Sequence, residues 1–175
     1  LPGLQTFIDA RRAFLLNHPD LQVATPQFLD VGHGSPLASG DGLGGCLAHR
    51  PVYIWVALEE SHPVSEVIVH HAHLQDMPFS AVSMVDDGQH HDFESGDGIY
   101  GAQLPALPAG VDVRYYVEAR SSDAQGTVAF LPARAEHVVR SYRTQPTPLQ
   151  EGALVINEVM ASNDMSVTDG QGDFD

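Results

Sequence analysis

The sequence predicts an all-β antiparallel sandwich, preceded by one short helix and followed by one extra strand. Three observations support this fold class. Short apolar runs that alternate every second residue recur between residues 27 and 142, turns rich in Gly, Pro and Asp separate them, and no helical pattern of useful length interrupts them. Two antiparallel sheets that face each other require this one-sided alternation. The absence of crossover helices argues against a βαβ fold and its ligand crevice.

The first element is a helical pattern. Its apolar residues fall on or near one stripe, and Pro19 ends the pattern after Asn17. These apolar residues are Leu4, Phe7, Ile8, Phe14 and Leu15. An amphipathic helix needs something to cover its apolar side. We therefore expect residues 1–25 to be the helical tail of a preceding domain.

Eight strands are predicted in the sandwich itself, which we place at residues 26–145. They are 27–31, 51–60, 64–74, 79–85, 99–105, 111–120, 127–132 and 137–142. The second and sixth alternate most clearly, with one face of each formed by Val52, Ile54, Val56 and Leu58, and by Val113, Tyr115, Val117 and Ala119. Residues 146–175 are expected to be a Pro-containing linker and, at 153–161, the first strand of a truncated further domain.

Composition narrows the function. The net charge is −15 and the chain has no lysine, which argues against nucleic acid and anionic membrane surfaces as partners because both need clustered positive charge. No apolar run approaches the ~20 residues of a membrane span. The single cysteine, Cys46, lies in a Gly-rich stretch without rigid support and is interpreted as incidental.

The segment VDDGQHHDFESGDGIYG, residues 85–101, is the best candidate site. It carries five carboxylates, and oxygen ligands at this density are what Ca²⁺ uses. The spacing fails the helix-loop-helix calcium motif because His91 stands where Gly is required. A calcium site in this loop, which connects two predicted strands, would use Asp86, Asp87, Asp92 and Asp97. The alternative is a hairpin loop shaped by Asp-Gly turns, with solvated acids.

Two other kinds of site are weaker. His71 and His73 point to the same face of their predicted strand, but two imidazoles do not make a zinc site. Tyr53 and Trp55 fall on the face opposite the aliphatic stripe, where exposed aromatic rings would suit carbohydrate binding. The alternative is that the N-terminal helix or a neighbouring domain covers them. A nucleophile beside a base and a phosphate-binding Gly loop are both missing, so we expect no enzyme activity.

Four segments resemble consecutive pieces of large secreted bacterial proteins. They are RRAFLLNHPDL, PVYIWVALEESHPVSEVIVHH, MVDDGQHHDFESGDGIYGAQLPALPAGVDVRYYVEA and LVINEVMASN. In those proteins, a kinase-like domain of the spore-coat-protein-H type precedes an immunoglobulin-like or fibronectin-III-like sandwich, and a lamin-tail domain follows. The resemblance implies an extracellular or cell-surface location and an accessory sandwich. Its partners would be neighbouring domains of the same chain and an extracellular polysaccharide or protein.

Overall fold

The computed structural model describes residues 3–37, 42–73 and 78–147. The elements are one α-helix, one turn of 3₁₀ helix and eight strands among these residues. They are α1 (Leu4–Leu16), the 3₁₀ turn (Pro19–Leu21), β1 (Phe28–Gly34), β2 (Val52–Leu58), β3 (Val64–Ala72), β4 (Ser80–Met84), β5 (Ile99–Leu104), β6 (Asp112–Ser121), β7 (Val128–Leu131) and β8 (Arg140–Arg143). The predicted all-β sandwich is confirmed.

The strands form two antiparallel sheets. The smaller sheet has the order β1-β2-β5, and the larger has the order β4-β3-β6-β7. The eighth strand also pairs with β6: β7 pairs with residues 117–120 of β6, whereas β8 pairs with residues 112–115. Two short strands thus cover successive parts of one edge of β6, which reduces the unpaired edge that the larger sheet presents.

The core lies between the sheets, where the alternating strands place it. The predicted inward residues of β2 and β6 are all buried, and Val67, Val69, Leu104 and Tyr142 complete much of the same cluster. The opposite face of β2 carries Tyr53 and Trp55, which are half-buried. The alternation in the sequence therefore predicts correctly which residues of β2 are available on the outer surface.

The N-terminal helix forms as predicted and ends beside Pro19. Asn17 caps it, because its backbone N–H and its side-chain amide both donate to the carbonyl of Ala13, at 3.2 and 2.8 Å. No residue of α1 is buried, and Phe7 and Phe14 are largely exposed. The aromatic rings that contact Tyr53 and Trp55 are those of His91 and Phe93, which lie outside α1. The predicted strand at 153–161 lies outside the described residues.

No helix within the described ranges is both long enough and apolar enough to cross a membrane.

Candidate functional site

The outer face of the smaller sheet has a large aromatic ring flanked by two glycines. Trp55 on β2 pairs in register with Gly32 of β1 on one side and with Gly101 of β5 on the other. The indole leans over β1, since a Cβ added at Gly32 would lie 2.5 Å from Cε2 and Nε1 of Trp55. A side chain at position 32 would therefore displace the ring.

Gly101 makes room for the acidic loop on the other side of Trp55. A Cβ at this position would clash with the backbone carbonyl of His90. Gly101 also forms an isolated antiparallel bridge with Val85, through N–H···O bonds of 2.9 and 2.8 Å. This bridge anchors the start of the loop to the smaller sheet. The loop between β4 and β5 thus lies against the outer face, next to Trp55.

Asp92 organises the loop from within. Its side chain is fully buried, and its two carboxylate oxygens accept backbone N–H groups from Asp87, Gly88 and His90; the latter two bonds measure 3.0 and 2.9 Å. Burying a carboxylate is costly unless such donors compensate it. Asp92 therefore fixes the conformation of residues 87–92 by gathering their amides around one charge.

The other predicted metal ligands also bind the loop's own backbone. Asp86 accepts N–H groups from Gly96 and Gly98, and Asp97 accepts one from Ile99 at 2.9 Å. Asp87 accepts from the backbone of Gln89 and lies 2.9 Å from Nδ1 of His90. The hydrogen bond with His90 is the largest of the causes that lower the pKa of Asp87. Each of the four carboxylates is thus engaged within the loop.

The part of the chain that the structure describes contains no cluster of metal-ligating side chains. No three His, Cys, Asp or Glu side chains lie close enough together there to hold a metal ion. This holds for the loop and equally for His71 and His73. Burial is the main cause that lowers the pKa of His71, and the charge of His73 adds to it. The calcium site stays a prediction from the sequence.

Two residues of the loop adopt strained backbone conformations that direct aromatic rings onto the sheet. His91 and Phe93 have φ values of 57° and 64°, in the left-handed region that residues with a Cβ rarely occupy. The His91 ring meets the edge of Tyr53 with 4.5 Å between centroids, and the Phe93 ring approaches Trp55 at 6.3 Å. Such strain persists only where surrounding contacts enforce it, and Asp92 between them supplies those contacts.

These residues enclose a groove of about 540 Å³ on the outer face, which we call the aromatic groove. Its lining residues are Gly32, His33, Gly42, Leu43, Trp55, Gly88, Gln89, His91 and Phe93. Phe93 is 69% exposed, although most large aromatic rings in folded domains are covered. The aromatic groove combines flat apolar walls with the polar side chains of Gln89 and His91.

The structure separates the two aromatic residues that the sequence pairs as ligand-binding. Trp55 lines the groove, whereas Tyr53 lies beneath His91 and donates its hydroxyl hydrogen to Gln103 at 2.7 Å. Sequence reasoning did not assign His91 and Phe93 to the same site. Both lie in the segment singled out for its acids, but only the left-handed backbone places their rings over β2.

The outer face of the larger sheet carries a second polar and aromatic cluster. His70 stacks on Tyr116 at 4.5 Å, and Glu118 bonds His70 at 3.0 Å and Arg120 at 2.6 Å. Burial alone raises the pKa of Glu118, but the hydrogen bonds from Arg120 and His70 outweigh it and hold the pKa below its ordinary value. This cluster is packed and internally paired, and none of its four residues lines the groove beside Trp55.

Cys46 lies between the sheets rather than at a reactive surface. The thiol is buried, and burial raises its pKa to about 11. Nearby, Nδ1 of His33 lies 2.9 Å from the Tyr115 hydroxyl, and the His33 ring stacks on Tyr142. A thiol with a raised pKa is a poor nucleophile, so Cys46 acts as a core residue.

No protein-family model matches this chain, and comparison with curated proteins gives no match. The binding site is therefore argued from the geometry of the chain's own residues.

Proposed function

We propose that this chain carries a non-catalytic accessory β-sandwich of a secreted bacterial multidomain protein, and that it binds carbohydrate in the aromatic groove. The observation that carries the proposal is the placement of Trp55 and the exposed Phe93 around a groove of about 540 Å³. Ligand sites of proteins are concave, largely apolar and supplied with a few polar groups. The secreted, multidomain setting comes from the resemblance of the sequence to large secreted bacterial proteins.

The chemistry of the groove suits a sugar ring. A pyranose presents an apolar face of C–H groups, which packs on flat aromatic rings, and an edge of hydroxyls, which needs hydrogen-bonding partners. Trp55 and Phe93 provide the rings, and Gln89 and His91 provide side chains that both donate and accept. An accessory module of this type would hold the rest of its protein near a polysaccharide without acting on the polysaccharide itself.

The loop is rigid enough to serve as one wall of such a site. Asp92 gathers three backbone amides, and Gly101 seats the loop directly on β5. A preorganised wall loses little conformational entropy when a ligand binds. Under this proposal, the acidic residues act first as internal supports of the groove.

The test is binding of the full chain to insoluble polysaccharides, together with fluorescence titration by soluble oligosaccharides. Trp55 is the chain's sole tryptophan, so its emission reports directly on the groove. Phe93→Ala should weaken binding by about tenfold, equivalent to ~1.4 kcal/mol for one lost aromatic contact. The control is Phe130→Ala, which removes an exposed ring from the other sheet.

The outcomes separate the alternatives. Binding that Phe93→Ala weakens and Phe130→Ala leaves unchanged supports the proposal. Failure of the folded chain to bind any polysaccharide rejects carbohydrate binding and leaves the sandwich a spacer between neighbouring domains. Equal loss in both variants, with unchanged melting temperatures, would place the binding surface elsewhere.

A further inference from the structure

The acidic residues that neighbour the groove-lining residues in the sequence bear on which carbohydrates would bind. The loop segments that line it, at Gly88, Gln89, His91 and Phe93, alternate along the chain with Asp87, Asp92 and Glu94. Among the described residues that line the groove there is no lysine, arginine, aspartate or glutamate, so the charge that a ligand meets comes from the surrounding chain. The whole chain adds a net charge of −15. A ligand in the groove therefore sits in a negative potential.

The aromatic rings of the groove also favour a positively charged ligand. The face of an indole or phenyl ring carries partial negative charge, and it attracts an ammonium group placed within about 6 Å, most strongly for tryptophan. Trp55 and Phe93 both line the groove and stand nearly perpendicular, with an interplanar angle of 83°. A protonated amine in the groove is thus favoured both by the rings and by the carboxylates.

From these two observations we infer that the groove prefers a polymer of amino sugars with free, protonated amines, of the glucosamine type, over neutral polymers and over polymers of uronic acids. This inference rests on the proposed function and specifies its ligand. A uronate or sulfated polymer would meet like charge, which disfavours binding. A neutral or N-acetylated polymer would keep the stacking and lose the attraction between charges.

An exposed carboxylate that follows the lining residue Phe93 in the chain gives a direct way to test this preference. Glu94 follows Phe93 in the chain and is exposed, whereas Asp87 and Asp92 support the loop through their hydrogen bonds. Glu94→Gln therefore removes a charge next to Phe93 in the chain without removing a side chain that supports the loop. Glu136 is also exposed and lies between β7 and β8, far along the chain from the loop, so Glu136→Gln is the matched control for net charge.

The experiment compares three oligosaccharides of equal length by Trp55 fluorescence, with the pH kept below the pKa of the glucosamine amine. They are a glucosamine oligomer, its N-acetylated form and a uronate oligomer. We expect the glucosamine oligomer to bind about threefold to tenfold more tightly than the N-acetylated form. Added salt should reduce this ratio because it screens the exposed charges. Glu94→Gln should reduce the ratio, and Glu136→Gln should leave it unchanged.

Each contrary result has a distinct meaning. Equal affinity for the glucosamine and N-acetylated forms, or tighter binding of the uronate, overturns the inference and leaves carbohydrate binding intact. No binding of any oligosaccharide overturns both. An oligolysine peptide of the same charge serves as a further arm: if it quenches Trp55 at lower concentration than the glucosamine oligomer does, the groove recognises basic peptide and the amino-sugar inference is wrong.

Discussion

Replacing Asp92 with asparagine tests whether one buried carboxylate holds the wall of the aromatic groove. Its oxygens accept three backbone N–H groups in the native chain. Asparagine has nearly the same shape but only one acceptor oxygen. If that oxygen keeps the amides of Asp87 and Gly88, the side-chain NH₂ faces the amide of His90, donor against donor. The substitution therefore leaves one amide unpaired and removes the charge from the other two bonds.

The magnitude follows from these three bonds. A hydrogen bond to a charged group contributes about 1.5–3 kcal/mol and a neutral one about 0.5–1.5 kcal/mol, and a buried donor left unpaired costs about 1–3 kcal/mol. Weakening two bonds by about 1 kcal/mol each and leaving the third donor unpaired should lower the free energy of unfolding by at least ~3 kcal/mol. Because the loop lies over β2, the damaged loop should also uncover Trp55 and shift its emission to longer wavelength.

Urea unfolding followed by Trp55 fluorescence measures both effects. Glu94→Gln is the matched control. It also removes one negative charge, but from an exposed side chain two residues after Asp92. Asp92→Asn should be less stable than this control by most of the expected amount. If the two variants agree within about 0.5 kcal/mol, which is typical of surface substitutions, and share the native emission, Asp92 does not support the loop.

Three further predictions concern the loop and the larger sheet. Gly101→Ala should push the loop off β5, because the new methyl group clashes with the His90 carbonyl; faster amide exchange across residues 86–98 would show it, and native protection would contradict it. Glu118 has a lowered pKa, so the stability that it contributes is present above its ordinary pKa of 4.5 and is lost as the pH falls below that value. Glu118→Gln should therefore reduce the fall in the free energy of unfolding below this pH, and a fall equal to that of the native chain would refute this. The calcium prediction requires Ca²⁺ to raise the melting temperature above its value in chelator, and Asp97→Ala to remove the rise; no rise would assign the carboxylates to the backbone alone.

The sequence predicts the fold well because burial follows a simple period in this chain. In β2 and β6, every second residue is apolar and faces the other sheet, as Val56 and Val117 do. Turns rich in Gly and Asp mark the strand ends. The pattern does not reveal which strands pair, and the joint covering of β6 by β7 and β8 depends on contacts between distant residues.

The site is only half predictable. Alternation places Trp55 on the outer face, and acid density draws attention to the loop. The sequence does not show that Asp92 turns inward while His91 and Phe93 turn onto the sheet. This arrangement depends on a left-handed backbone at His91 and Phe93, which is not expected at residues other than glycine. The glycines opposite Trp55 are a usable signal: a glycine within a strand can mark the close approach of another group, and Gly32 and Gly101 each have such a neighbour.

The most direct test of carbohydrate binding in the groove is NMR mapping of the full chain during titration with a glucosamine oligomer. We expect the indole N–H of Trp55 and the amides of Gln89, His91 and Phe93 to shift together, with one saturating concentration dependence. Amides around Tyr116 on the other sheet should not move. Shifts confined to the larger sheet, or none at saturating oligomer, would contradict carbohydrate binding in the groove.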